Sequence, residues 1–234
     1  FEVMGNDNFI LSDRQNICNL ELKEKRDFEC YSNINELLEK IENLSKDVTL
    51  IAVSKNVTCT EVRELYAQGQ RNFGENRVQE LAKKELELQD FTDIKWHMIG
   101  RLQNNKINQM ISLKPVLWQS CDSFERAVEV DKRLSYKLDT LLQINSADED
   151  TKQGVSVANA TEIYERIQSE CKNINLKGVM SIGAHVDEPK EVQKSFELTY
   201  KIYESLKPKG ATICSMGMSS DFELAIKCGS NMIR

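Results

Sequence analysis

Proline and histidine are scarce. The 234 residues hold three prolines (Pro115, Pro189 and Pro208) and two histidines (His97 and His185). No Pro/Gly/Ser-rich linker, low-complexity tract or heptad run interrupts the chain. One continuous architecture is therefore expected over 31–234, after an ill-defined N-terminal extension at 1–30. Two isolated histidines with no clustered ligands argue against a zinc site, and no metal is expected. The seven cysteines are odd in number and include no C-x-x-C pair. That usage fits free, mostly buried thiols in a reducing compartment, so a cytoplasmic location is expected. No apolar run nears the length of a membrane span. The opening FEVMGNDNFILSDRQ lacks a basic flank followed by an apolar core, so no membrane segment or secretory signal is expected. Positive charge is in deficit too. A net charge of −6 disfavours general nucleic-acid binding and leaves room only for a local basic pocket.

What is present is a regular alternation. Hydrophobic residues make up 40% and charged residues 29%, the profile of a soluble globular protein with a sizeable core. Short apolar runs read as strands at 49–55, 72–76, 94–100, 116–122, 139–146, 176–182, 212–217 and 231–234. Amphipathic segments lie between most of them. INELLEKIENL places Ile34, Leu37, Leu38, Ile41 and Leu44 on one stripe. CTEVRELYAQG has Thr58 or Thr60 as a cap and Gly69 as a stop. SFERAVEVDKRL, SVANATEIYERIQSECK, EVQKSFELTYKIYESLK and SSDFELAIKCG follow the same pattern. Buried runs alternating with helices imply parallel strands joined by right-handed crossovers. Eight such strands predict an α/β fold, a (β/α)8 TIM barrel, with an open doubly wound sheet as the alternative. Arg234 falls on the eighth strand, so the last helix is expected to be missing, with the segment at 33–45 covering part of its place.

In a barrel the chemistry sits at the C-terminal ends of the strands. Those ends bring together Lys55, Asn76, His97 with Gly100, Asp122, Asn145 and Ser146, Ser181, the SMGMSS stretch and Arg234. In SMGMSSD, Gly217 permits close backbone approach, and Ser219 or Ser220 is placed to cap a helix whose N-terminus could take phosphate. An ordinary capped helix would read the same way, but Arg234 adds a charge partner for an anion. Lys55 is either a solvated boundary residue or an amine desolvated in the barrel mouth and competent for Schiff-base chemistry. Lysine together with a phosphate site suggests two chemistries: a pyridoxal phosphate aldimine, or a Schiff-base aldolase acting on a sugar phosphate.

The stretches LIAVSK, GQRNFGENRVQE, IKWHMIGRLQNNK, LLQINSADEDTKQGV, LKGVMSI and SMGMSSDFELAIKCGSNMIR, in that order, resemble the pyridoxal phosphate homeostasis proteins over nearly all of 49–234. The resemblance implies a barrel of the alanine racemase kind (the third fold type of pyridoxal phosphate proteins). It implies pyridoxal 5'-phosphate as cofactor, held as an internal aldimine on Lys55. It places phosphate-loop contacts on Ser215, Gly217, Met218 and Ser219, and an arginine near the pyridine nitrogen or the phosphate on Arg234. It sets Asn76 and His97 at the pocket, where His97 could equally be a structural residue hydrogen-bonded beneath the cofactor. Lys152 matches a family lysine at the rim. Val57 stands where the family commonly has a second lysine, which puts any transfer role of that lysine in doubt here. The resemblance further implies a role in vitamin B6 homeostasis without robust catalysis, and apo pyridoxal phosphate enzymes as partners. Racemases of this fold add a second domain bearing an opposing tyrosine, for which no counterpart is expected here. A weak amino-acid racemase is the first alternative and a Schiff-base aldolase the second. The acidic surface suggests a monomer.

Overall fold

The stripe in INELLEKIENL predicts a helix with one apolar face. The computed structural model shows it as α1 (Ile34–Leu44), with Ile34, Leu37 and Ile41 buried. The structure describes residues 34–146, 153–183 and 188–234. The 1–30 extension, Lys152 and His185 lie outside the described residues.

The apolar run TLIAVS forms two short strand pieces, β1 (Thr49–Leu50) and β2 (Ala52–Val53). After them come α2 (Cys59–Ala67), β3 (Asn72–Glu75), α3 (Val78–Glu87), β4 (Lys95–Met98), α4 (Ile107–Leu113), β5 (Leu117–Cys121) and α5 (Phe124–Asp131). The second half holds β6 (Leu138–Asn145), β7 (Val155–Ser156), α6 (Ala160–Glu170), β8 (Ile174–Ser181), α7 (Pro189–Leu206), β9 (Ile213–Ser215), α8 (Phe222–Lys227) and β10 (Met232–Ile233). All strand pairs are parallel, in the order β1-β10-β9-β8-β6-β5-β4-β3-β2. The ring closes through the 49–54 segment. Its Ile51 amide donates to Ile233 O at 2.8 Å on one side, and its Ser54 amide to Gly74 O at 2.8 Å on the other. Counting β1 and β2 as one strand, the barrel has the eight parallel strands read from the sequence, which settles the choice against an open sheet.

Three details differ from the sequence reading. β7, a two-residue strand paired with β6 outside the ring, has no apolar run to announce it. Helices α3 and α4 occupy two crossovers for which the sequence pattern suggests no helix. α8 begins at Phe222, with Asp221 rather than Ser219 or Ser220 at the capping position and no side-chain cap bond. The cap of α2, by contrast, is Thr58, in a reciprocal capping box with Glu61.

α1 packs on α8, where Lys40 pairs with Glu223 at 2.7 Å, and shares a core with Leu50 and Ile233 of the closing strands. Alternation along the strands separates two kinds of interior. Val179, Cys214 and Phe73 face the helices, whereas Ile51, Leu117, Leu141, Met180 and Met232 fill the barrel lumen. Other inward positions are polar or charged: His97 and Ser215 in register with Leu117 and Met232, and Gln119 and Arg234 one inward step beyond these, all buried.

Candidate functional site

Lys55 follows the inward parity of Ile51 and Val53, which brings it to the barrel mouth. It stands in a tight turn closed by the Val57 amide donating to Ser54 O at 3.0 Å. Asn56 in that turn has φ 61°, a left-handed conformation that asparagine tolerates better than most residues. The capping box at Thr58 then starts α2 at once, so the turn is bounded on both sides.

A cavity of about 210 Å³ opens at this end of the barrel. Its wall includes Val53, Lys55, Asn76, Ile99, Gly100, Arg101, Gln143, Ile182, Met218, Ser219 and Arg234. Gly100 is required for close approach, because a Cβ there would lie 2.1 Å from Asn76 O. The Gly100 carbonyl accepts from Ser120 Oγ at 2.6 Å, so this part of the wall is anchored from both neighbouring strands. Gly217 has φ 103°, and a Cβ there would meet Ala225 Cβ at 2.6 Å, so the turn before α8 lies flat against that helix. The Met218 amide in the same turn donates to Asp221 Oδ1 at 2.6 Å.

Arg234 is 7% exposed, and its guanidinium is held by neutral oxygens. Nη1 donates to Ser215 Oγ at 3.0 Å and Nη2 to Ser181 O at 2.7 Å. Among the described residues it makes no ion pair. Burial pulls its pKa down to about 10, with Asp221 opposing the shift, so it stays charged at neutral pH. Arginine only donates, and this sets the direction of a buried relay across the lumen. Ser215 Oγ donates to Gln119 Oε1 at 2.7 Å. Gln119 Nε2 then donates to His97 Nδ1 at 3.2 Å, and His97 Nε2 to Asn72 Oδ1 at 3.2 Å. The relay accounts for a neutral imidazole with its proton on Nε2. Burial, with a contribution from Lys95, lowers the His97 pKa to about 4.

The structure thus brings Lys55, Asn76, Met218, Ser219 and Arg234 to one cavity. His97 and Ser215 lie one layer below it, spent in the relay, and Gly217 shapes the turn without forming the wall. Lys152 lies outside the described residues. Sequence reasoning passed over Gln119, although a glutamine two residues beyond Leu117 in an apolar run has lumen-facing parity. It also passed over Glu75 and Lys84. These form a buried ion pair at 2.5 Å, with Glu75 on the helix-facing side of β3 and Lys84 on α3. The five described cysteines are free, and burial raises the pKa of each, so none offers a reactive thiolate. No metal-binding cluster occurs among the described residues, and none of their helices is long and apolar enough to cross a membrane.

Residues 30–234 match the alanine racemase N-terminal domain. A pyridoxal phosphate homeostasis protein of Helicobacter pylori (strain 26695) is 46% identical over 210 residues, covering 86% of this chain and 93% of the relative. The human protein of that name is 34% identical over 200 residues, covering 79% and 73%. Among solved structures, PipY of Synechococcus elongatus with pyridoxal phosphate bound superposes with a TM-score of 0.76 at 33% identity, covering 86% of this chain and 97% of PipY. Alanine racemase of Corynebacterium glutamicum shares the fold, with a TM-score of 0.66 at 13% identity, covering 83% of this chain and 56% of the racemase.

Proposed function

This chain belongs to the pyridoxal phosphate homeostasis proteins, and from that membership we propose that it binds pyridoxal 5'-phosphate through Lys55 and serves vitamin B6 homeostasis as a carrier or regulator. The observation that carries the reading is that the Lys55 amine and the Arg234 cation open into one cavity at the C-terminal end of a closed parallel barrel. The residues present fit the group. The cavity is small beside a drug-sized pocket and suits one compact cofactor. The Gly217 turn, flat against α8, keeps the Met218–Ser219 wall clear of side-chain bulk from that position. Arg234, which makes no ion pair among the described residues and feels Asp221 only at longer range, supplies an anion with a partner.

Pyridoxal phosphate brings an aldehyde that condenses with a primary amine, releasing water. Lys55 presents that amine at the end of its turn. Asn76 and Ser219 offer hydrogen-bonding groups on the wall, and Val53, Ile99, Ile182 and the Met218 side chain supply apolar surface. Arg234 is positively charged and buried. Placed against the pyridine nitrogen it would disfavour protonation there and so weaken electron withdrawal, which suits holding a cofactor better than catalysing with it. A cytoplasmic monomer handing the cofactor to apo enzymes completes the reading, in keeping with the acidic composition and the free thiols.

The test is incubation with pyridoxal phosphate, borohydride reduction and peptide mass mapping. The wild type should gain the reduced cofactor mass on the peptide containing Lys55. Lys55→Ala should lose that adduct entirely. Equal labelling of the Lys55→Ala protein at another lysine would overturn the assignment.

A further inference from the structure

The turn that carries Lys55 is held from beneath by an ion pair that the cavity does not touch. Glu75 is 1% exposed and Lys84 5%. Each atom of the pair that can bond to the turn or to its neighbour does so. Lys84 Nζ donates to Ser54 O, the carbonyl of the peptide that leads into Lys55. That same carbonyl closes the turn by accepting the Val57 amide. Ser54 Oγ donates to Glu75 Oε1 at 3.0 Å, and the Asn76 amide donates to Glu75 Oε2 at 2.9 Å. Two wall residues, Lys55 and Asn76, therefore follow backbone groups fixed by one buried pair. The pair lies between β3 and α3, outside the barrel wall.

We propose that Lys84, working with Glu75, is a positioning residue that sets where the Lys55 amine and Asn76 stand in the cavity. The assignment rests on the reading of Lys55 as the amine that binds the cofactor. Arg234 provides an internal contrast: it lies in the cavity wall and makes no ion pair among the described residues, whereas Lys84 lies behind the wall and is fully matched. A pair present only to join α3 to the sheet would need no bond to the Ser54 carbonyl. Without it the Ser54 carbonyl would be held only by the Val57 amide, and the turn beyond the Ser54–Gly74 ladder bond would rest on that bond and the left-handed Asn56 conformation.

The test compares the wild type with Glu75→Gln and Lys84→Met. Glu75→Gln keeps the shape and one oxygen while placing an N–H where an acceptor was. Each protein is checked for folding by thermal melt, then mixed with pyridoxal phosphate. The rate at which borohydride-trapped cofactor accumulates on the Lys55 peptide is measured from pH 6 to 9. The expected result is folded variants with capture slowed at least tenfold in Lys84→Met and several-fold in Glu75→Gln, and with a shifted pH profile. Folded variants that capture at the wild-type rate and with its profile would reduce the pair to a structural tie, and so would two variants that both fail to fold. If the wild type itself captures nothing at Lys55, the cofactor reading falls and the positioning role falls with it, an outcome distinct from wild-type capture that the variants match.

Discussion

Lys84 and Arg234 are both buried cations near the same end of the barrel, yet they are compensated in opposite ways. Lys84 faces a carboxylate at 2.5 Å and a backbone carbonyl. Arg234 faces a hydroxyl and a carbonyl, both neutral, and opens into the cavity. Desolvating a charge is costly, and a counter-charge at contact offsets the cost where dipoles do so only in part. Lys84 has its charge spent inside the protein. Arg234 carries a desolvation cost that the fold alone does not meet, and a bound anion would meet it. The difference separates a charge matched inside the protein, behind the cavity wall, from one in the wall that, on the proposed function, a ligand's anion would match.

The comparison is most easily broken at Lys84. Lys84→Met leaves Glu75 buried without its partner, and a loss of about 3–5 kcal/mol in unfolding free energy is expected from denaturant titration. A loss below about 1 kcal/mol would place the pair among weak surface bridges. The next effect lies in the relay that holds Arg234. The folded chain keeps His97 neutral down to about pH 4, whereas the unfolded chain protonates it near 6.5. The unfolded state therefore binds more protons in that window, and stability falls as pH drops through it, by roughly 3 kcal/mol at full extent. His97→Gln should remove that part of the acid sensitivity when unfolding free energies are compared at pH 6.5 and 4.5. The smallest effect on the fold belongs to Arg234. Arg234→Met should change stability by only about 1 kcal/mol while weakening pyridoxal phosphate binding by about 10–100-fold in an equilibrium titration. A variant that binds as the wild type does would assign the anion to other groups.

How much of this was legible differs by residue. Lys55 could be found because an unbroken apolar run ends on it, and strand parity carries it inward. The eight strands could be counted because buried parallel strands read as short apolar runs. Gln119 sits within such a run, where its identity alone does not say whether it is lumen-facing. Lys84 was harder, since VQELAKKELE offers two adjacent lysines. Only the helix phase, with Val78, Leu81 and Lys84 buried at three-residue spacing, marks the second as inward. Glu75 in NFGEN reads as part of a polar strand end, because its partner comes from a helix that the sequence pattern does not announce.

By itself the amino-acid order determined the number of strands, their parallel arrangement and the place of Lys55 at a strand end, because side-chain period and the burial of apolar runs are local properties. Tertiary structure alone decided that Ser215 and His97 serve a relay beneath the cavity, that Arg234 is held by neutral oxygens with no ion pair among the described residues, and that Lys84 supports the turn of Lys55. Those roles depend on partners 9 to 96 residues apart in the chain. Closing the ring is what brings such partners within hydrogen-bond distance.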